Sequence, residues 1–324
     1  MKLIYTVCTA NYLYQALTLG ESLQKTNPDY ELIIGLADEL PVIDFEIPYQ
    51  LISIKDLNFP HLEEYHQKYS TLELACACKP IFALHILEKY PDIETLIYCD
   101  TDIYFYNRLV QIEEYLQEKD IILTPHITQE IQLTEKWNEK EILNAGLYNA
   151  GFIAVKRSEN TFRFLNWWKS HLKDYGFYDF CQGMGVDQLC LNFVPIFFEN
   201  VLIDYNPTHN MAYWNLRERA LTFENNQYIV NHKFPLIYFH FSGYNPENQK
   251  VLSRHIDLKK SKDNTVLNAI LAEYHHALLK NHYDLLKNFV PKFGVYTPPP
   301  KTKNTIVKFI EKASWKVINF IENY

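Results

Sequence analysis

Glycine is scarce in this chain, at 9 of 324 residues, and no Gly-x-Gly-x-x-Gly follows the first apolar run, Lys2 to Cys8. The usual backbone cradle for a dinucleotide is therefore missing. Paired cysteines at metal spacing are missing too. Of the six cysteines (Cys8, Cys76, Cys78, Cys99, Cys181, Cys190), only Cys76 and Cys78 lie close together, as a Cys-x-Cys with no second pair or histidine cluster to complete a zinc site. Most sit inside apolar runs, as small buried hydrophobes do, and a reducing cytoplasmic environment fits that usage. No apolar run reaches transmembrane length. The stretch Met1 to Cys8 lacks the shape of a signal peptide, because polar residues follow at once. Basic charge is not in excess either: a net charge of -8 argues against a general nucleic-acid binder.

What the chain has in abundance is aromatic side chains, with 24 Tyr, 20 Phe and 5 Trp. Hydrophobic residues at 48% and charged residues at 22% describe an ordinary globular protein, long enough for one large domain or two smaller ones. The organising stretch is Leu96-Ile97-Tyr98-Cys99-Asp100-Thr101-Asp102-Ile103-Tyr104-Phe105-Tyr106, a β-branched and aromatic run carrying two carboxylates. As a strand to its end, it sends Asp100 and Asp102 to the same side, since strand side chains have period two. Two adjacent carboxylates repel unless a cation lies between them, and a hard divalent ion such as Mn²⁺ or Mg²⁺ suits them. A turn or helix cap accounts for the same pair without a metal.

Around this stretch the pattern alternates strand and helix. Lys2–Cys8 reads as a buried strand, Tyr14–Lys25 as a helix and Tyr30–Leu36 as a second strand. Such a β-α-β start predicts a parallel sheet with its ligand crevice at the carboxyl strand ends. Thr9, Asn11 and Tyr12 lie at that edge, where they contact a nucleotide or simply cap a helix. Leu51–Ile54 is a short third strand, and Thr71–Tyr90 is helical with Pro80 predicting a break. Lys79 then falls near a helix end, as a cation for a phosphate or as a solvated lysine.

Asp120–Thr124 and Tyr148–Lys156 are further strands, with a loop and helix over the site between them. Asn149 and Gly151 open the second, where the missing side chain of Gly151 lets a ligand approach the backbone. Asn160–Leu172 is an amphipathic helix whose rings (Phe162, Phe164, Trp167, Trp168) read as core. Asp187 and Gln188 open a helix after two glycines, as a cap or a catalytic pair. Tyr213, Trp214 and Asn215 lie in a polar-aromatic loop that suits a saccharide or plain packing. Leu236–Phe241 is a last strand, and His240 near its end becomes a third metal ligand if it faces the aspartate pair.

In this order the motifs Asp-x-Asp (100–102), Asn-Ala-Gly (149–151), Asp-Gln (187–188) and His-x-x-Gly (240–243) resemble glycosyltransferase family 8. The similarity is closer to a group of bacterial glycosyltransferases of the same GT-A fold. It runs through Leu74–Pro80, Tyr98–Ile103, Leu123–His126, Ala212–Leu216, His240–Tyr244 and Leu252–His255, and so spans residues 3 to 256. The resemblance implies an α/β, Rossmann-like sheet and a retaining transfer of a hexose from a UDP-sugar, with UDP-glucose or UDP-galactose foremost, to a glycan, lipid-linked or protein-linked acceptor. It implies that Asp100, Asp102 and His240 hold Mn²⁺ and that Thr9, Asn11 and Tyr12 meet the nucleoside. Asp187 and Gln188 fall near the anomeric carbon, and Lys79, Thr101, Asn149, Gly151 and Gly243 fall on the donor. The family's lysine after His-x-x-Gly is absent, since the chain reads Tyr244-Asn245-Pro246, which leaves Arg254, His255 or Lys79 to take its place. A nucleotidyltransferase and a non-catalytic sugar-nucleotide or glycan-binding module are the rival readings. The first would carry a glycine- and basic-rich loop after strand one, which Cys8-Thr9-Ala10-Asn11 is not.

The chain divides into a catalytic domain at 1–260, a helical subdomain at 261–296, a proline spacer at 297–303 and an amphipathic tail helix at 304–324. From Lys301 onward, five lysines stand against Glu311 and Glu322, which fits contact with the inner face of a membrane or packing on the catalytic domain or a partner subunit.

Overall fold

The computed structural model describes residues 2–57, 59–131, 139–255 and 265–294, together with Ala313, Ser314, Lys316, Val317 and Phe320. The proline spacer and, apart from those five residues, the tail helix lie outside the described residues.

Strand β1 (Lys2–Cys8) leads through a 3-10 turn (Ala10–Tyr12) into α1 (Leu13–Thr26), β2 (Tyr30–Leu36) and β3 (Gln50–Ser53). Helices α2 (Leu62–Lys68) and α3 (Thr71–Lys89) return the chain to β4 (Thr95–Cys99) and β5 (Ile103–Phe105). Next come α4 (Val110–Glu118), β6 (Ile121–Pro125), α5 (Glu139–Ala145), β7 (Tyr148–Lys156) and α6 (Glu159–Tyr175). Short β8 (Tyr178–Asp179) and β9 (Met184–Gly185) precede α7 (Val194–Phe197) and β10 (Val201–Ile203). A small sheet of β11 (Leu221–Glu224), β12 (Gln227–Val230) and β13 (Phe234–Pro235) leads to β14 (Tyr238–His240), then α8 (Thr265–Lys280) and α9 (Tyr283–Leu286).

The central sheet has seven strands in the order β10-β6-β7-β4-β1-β2-β3. Its pairs are parallel except those of β7, which runs antiparallel to β4 and β6. This is the mixed, mainly parallel α/β sheet expected. Alternation along β1 builds both of its faces. Ile4 and Cys8 join a core with α1 and α8, while Leu3, Tyr5 and Val7 join a second core with α3 and α6. Phe164 and Trp168 of α6 are fully buried in that second core, as their spacing predicted.

Four expectations need correction. The organising run is two strands: it leaves the sheet after Cys99, turns at Asp100-Thr101-Asp102, and resumes as β5, which pairs antiparallel with β14. Pro80 does not break α3, which runs unbroken from Thr71 to Lys89 behind a capping box of Ser70 and Glu73. Burial of the helix against the sheet and α6 outweighs the one hydrogen bond that proline removes. The helical subdomain expected at 261–296 holds two helices among its described residues, because His282 adopts a left-handed conformation (φ 64°) between α8 and α9. Gln188 leads into a 3-10 segment, Leu189–Phe193, before the short α7.

Candidate metal and donor site

The site lies where β4 ends. The main chain of Asp100 is still tied to β7, its N–H donating to the Gly151 carbonyl at 2.7 Å. Two residues later the chain joins β14, with Phe241 N–H donating to the Asp102 carbonyl at 2.8 Å. Asp100 and Asp102 are therefore held by different partner strands, and His240 arrives beside them from the second. One ligand atom from each of the three lies within 4.8 Å of the others. His240 Nε2 is 3.0 Å from Asp102 Oδ1 and 3.8 Å from Asp100 Oδ2. Its Nδ1 faces Asn210 Oδ1 at 3.2 Å, which fixes the ring and directs Nε2 at the carboxylates. Asn210 makes this contact from a left-handed backbone (φ 53°) while fully buried. Asparagine tolerates that conformation, and this signal was missed in the sequence.

Gly151 is required here for space. A Cβ on it would lie 2.4 Å from His240 Cε1 and 2.7 Å from Asp100 Oδ2, inside the contact distance of real side chains.

Lys79 sits in the middle of α3, not near its end, and is not a free phosphate cation. Its Nζ lies 2.9 Å from Asp100 Oδ1 and 2.7 Å from Asp187 Oδ2, and donates to the Ala150 carbonyl at 3.2 Å. Burial alone would neutralise this lysine, but the two carboxylates outweigh it and hold the ammonium well above its ordinary pKa. Asp100 also accepts from the Tyr98 hydroxyl at 2.5 Å. Burial works against its charge, yet Lys79 and His240 outweigh burial and lower its pKa. Asp187 is raised, first by burial and then by the nearby Asp100, with Lys79 opposing. Burial would likewise strip the proton from His240, but Asp102 more than compensates and the imidazole pKa is raised. Tyr98 was missed as a site residue. It stands two residues before Asp100, a spacing that period two makes legible.

Three carboxylates thus gather around one ammonium and one imidazole in a partly buried cluster, with room for a cation beside Asp100 and Asp102. The donor set of two carboxylates and an imidazole suits Mn²⁺, and also accepts Mg²⁺. Asp187 is fixed from behind: its carbonyl accepts from Trp168 Nε1 at 3.0 Å and from Cys190 Sγ at 3.3 Å. Val186, just before it, has φ 56°, a strained conformation for a β-branched residue. Among the described residues, Gln188 Oε1 makes long contacts, 3.4 Å from Ala150 N and 3.5 Å from Asn149 Nδ2.

The remaining candidates divide. Asn149 accepts from Gly151 N–H at 3.1 Å and touches His126 Nε2 at 3.3 Å, inside the cluster. Trp214 packs edge-on against both His240 and His126, with ring centroids 5.1 Å apart in each pair. Tyr213 lies beside Trp214 and stacks on His255 at 5.8 Å. Asn215 is fully buried, its amide donating to the Asn210 and His126 carbonyls and accepting from Ala212 N–H. It braces the loop. Thr101 has its hydroxyl on Gln15 Oε1 at 2.9 Å, turned toward α1. Gly243 (φ 72°) lies against the His255 ring and accepts from Arg254 N–H at 3.0 Å. Thr9, Asn11 and Tyr12 gather at the end of β1, with Thr9 Oγ1 donating to Asn11 Oδ1 at 2.7 Å.

No protein-family profile matches this chain. It is 27% identical over 254 residues to the uncharacterized protein YfnF of Bacillus subtilis (strain 168), covering 74% of this chain and 80% of that one. Among solved structures it is similar to the galactosyltransferase LgtC in complex with donor and acceptor sugar analogs, at 14% identity and a TM-score of 0.49, over 90% of this chain and 98% of that one. It is also similar to the glycosyltransferase GlyE of Streptococcus pneumoniae TIGR4, at 14% identity and a TM-score of 0.48, over 90% of this chain and 65% of that one. At these values the function rests on the site. Among the described residues, no helix is long and apolar enough to cross a membrane.

Proposed function

We propose that the chain is a cytoplasmic, metal-dependent glycosyltransferase of the GT-A type. In this reading it moves a hexose from a UDP-sugar to a saccharide or glycan acceptor with retention of configuration, in bacterial surface-polysaccharide or glycoconjugate synthesis. UDP-glucose and UDP-galactose are the first donors to test. The observation that carries the reading is the convergence of Asp100, Asp102 and His240 within 4.8 Å, beside the Lys79–Asp187 pair and opposite a glycine.

Asp100, Asp102 and His240 would hold Mn²⁺ or Mg²⁺, which when bound supplies Lewis-acid stabilisation to the departing diphosphate. Lys79 keeps Asp100 ionised and fixes Asp187, so its part is to position. Asp187 takes the donor-sugar hydroxyls. The Gln188 carboxamide oxygen, held by long contacts, turns to the positive charge that develops at the anomeric carbon. Thr9, Asn11 and Tyr12 take the nucleoside, and Thr101, Asn149, Gly151 and Gly243 shape the donor wall. Tyr213 and Trp214, on the loop that Asn215 braces, take the acceptor. The commitment of Lys79 to two carboxylates leaves Arg254 and His255, which pack on Gly243, to steady the phosphate. The lysine-rich tail holds the enzyme at the inner face of the membrane. Liposome binding unchanged by truncation after Pro300 counts against that part.

The test is a UDP-sugar hydrolysis screen with Mn²⁺, reading the product anomer by NMR. Metal-dependent release of the retained anomer is expected. Turnover of GDP- or CMP-sugars alone would overturn the nucleotide assignment. Pyrophosphate release from a nucleoside triphosphate would indicate a nucleotidyltransferase, and binding without turnover a silent module.

A further inference from the structure

We infer that the C-terminal arm, residues 281–294, is the structural support of the nucleoside side of the crevice, with Asp38 as the positioning residue that couples the two. The inference rests on the nucleotide-sugar reading above and goes beyond it by assigning a residue and a segment that no motif marks.

The turn Ala10–Tyr12 is poorly supported from within. It has no side-chain cap, and its local bonds are Tyr12 N–H to the Thr9 carbonyl at 3.0 Å, Leu13 N–H to the Ala10 carbonyl, and Thr9 Oγ1 to Asn11 Oδ1 at 2.7 Å. Its other supports come from outside. Asp38, just past β2, is 1% exposed, and main-chain N–H groups occupy both carboxylate oxygens. Oδ2 accepts from Ala10 N–H at 3.1 Å, and Oδ1 accepts from Lys292 N–H and Glu39 N–H, each at 2.8 Å. Such charge-assisted bonds are the strong kind, and here one carboxylate clamps the turn to the arm.

A second strut runs in parallel. Tyr12, itself 42% exposed, stacks on Tyr14 with centroids 6.3 Å apart, and Tyr14 meets the edge of Tyr283 in α9 at 5.0 Å. The arm is in turn fixed to the body at several points. The His282 ring stacks on Phe45 at 3.8 Å, Thr71 Oγ1 donates to the Gly294 carbonyl at 2.8 Å, and Gly294 N–H donates to His66 Nδ1 at 3.1 Å. Among the described residues, no hydrogen bond or ring contact joins Asp100, Asp102 or His240 to Asp38 or to the arm. Loosening the arm should therefore weaken the grip on the nucleoside and leave the diphosphate end intact.

The experiment compares UDP with inorganic pyrophosphate, both with Mn²⁺, by calorimetry on the full chain. Asp38→Asn replaces an acceptor oxygen with an NH₂ group, and Lys292→Pro removes the N–H. Lys292→Ala keeps that N–H and serves as control. The expected result is a Kd for UDP weakened about tenfold or more in the first two variants. UDP binding by Lys292→Ala and pyrophosphate binding by all three should be unchanged. Unchanged UDP affinity in folded Asp38→Asn and Lys292→Pro overturns the inference, and so does an equal loss for pyrophosphate, which marks a global defect. If either variant fails to fold, amide hydrogen exchange on the unmodified chain decides: UDP must slow exchange at residues 10–12 and 287–294 together, and protection of the turn without the arm overturns the coupling. A chain that binds pyrophosphate but no nucleotide sinks the UDP-sugar reading itself.

Discussion

Asp102–His240 and Asp204–His209 each pair an aspartate with a buried histidine, and the first faces a place for a ligand. His209 Nδ1 lies 2.6 Å from Asp204 Oδ2, with the side chains 1% and 0% exposed. Asn206 N–H takes the other carboxylate oxygen at 3.0 Å, and Arg219 Nη1 donates to the His209 carbonyl at 2.6 Å. The His209 ring stacks on Tyr238, two residues before His240, so the sealed pair underpins the strand that carries the open one. The open pair differs in two respects. Its Asp102 side chain is 21% exposed, and a second carboxylate, Asp100, crowds it. A buried acid–imidazole contact is thus a brace when it is sealed from solvent, and a candidate site when a second carboxylate shares the imidazole within reach of solvent.

The sharpest way to break this comparison is to change the same atom in each pair. Asp102→Asn is expected to lower transfer by about a thousandfold or more, because it removes a ligand of the charge-stabilising ion. Its thermal midpoint should not fall. Full turnover by this variant sinks the metal assignment. Asp204→Asn should do the reverse, losing about 3 kcal/mol in urea denaturation while the folded fraction keeps its specific activity. Loss of Mn²⁺ binding without loss of stability would erase the distinction.

A third buried imidazole sharpens the contrast by pH. Burial, with His240 nearby, pushes the His126 pKa down to about 4. Above about 6.5 the ring is neutral in both folded and unfolded chains, so it contributes no slope there. Between about 6.5 and 4 only the unfolded chain takes up the proton. Stability therefore falls as pH drops through that window, by on the order of 3 kcal/mol. His126→Gln should flatten that part of the stability profile, and an unchanged slope rules the residue out as its source. The smallest effect expected is from the ion itself. Mn²⁺ at a hundred times its Kd should stabilise the chain by about 2.7 kcal/mol, and Asp102→Asn should lose this whereas Asp204→Asn keeps it. Mn²⁺ affinity should rise with pH, because ligation requires His240 to shed the Nε2 proton that Asp102 retains; a flat profile by calorimetry contradicts that.

The strands were legible because their apolar runs have clear period and length, from Lys2–Cys8 through Tyr148–Lys156. Asp100, Asp102 and His240 were legible as types at strand ends and through a resemblance. Their meeting depended on β5 leaving the main sheet for β14, a partner far along the chain, and no local propensity encodes that choice. The ion pairs of Lys79 were hidden for the same reason: both its counter-charges are remote in sequence, which left a phosphate cation and a solvated lysine as its two readings. Pro80 is tolerated inside α3 because the helix packs against the sheet and α6, and no local signal encodes that packing.

The ladder between β5 and β14 has a consequence for how this molecule can vary. Ile103 pairs with His240, and Phe241 N–H bonds the Asp102 carbonyl, so the spacing of two ligands is written in main-chain register. Everything between residues 106 and 237 leaves from one end of that ladder and returns to the same end. Exchanges in that excursion can alter what is bound only where they spare Gly151 and Asn210, which hold Asp100 and His240 in place. Register thus sets the spacing of two ligands, and a few fixed points in the excursion set their orientation.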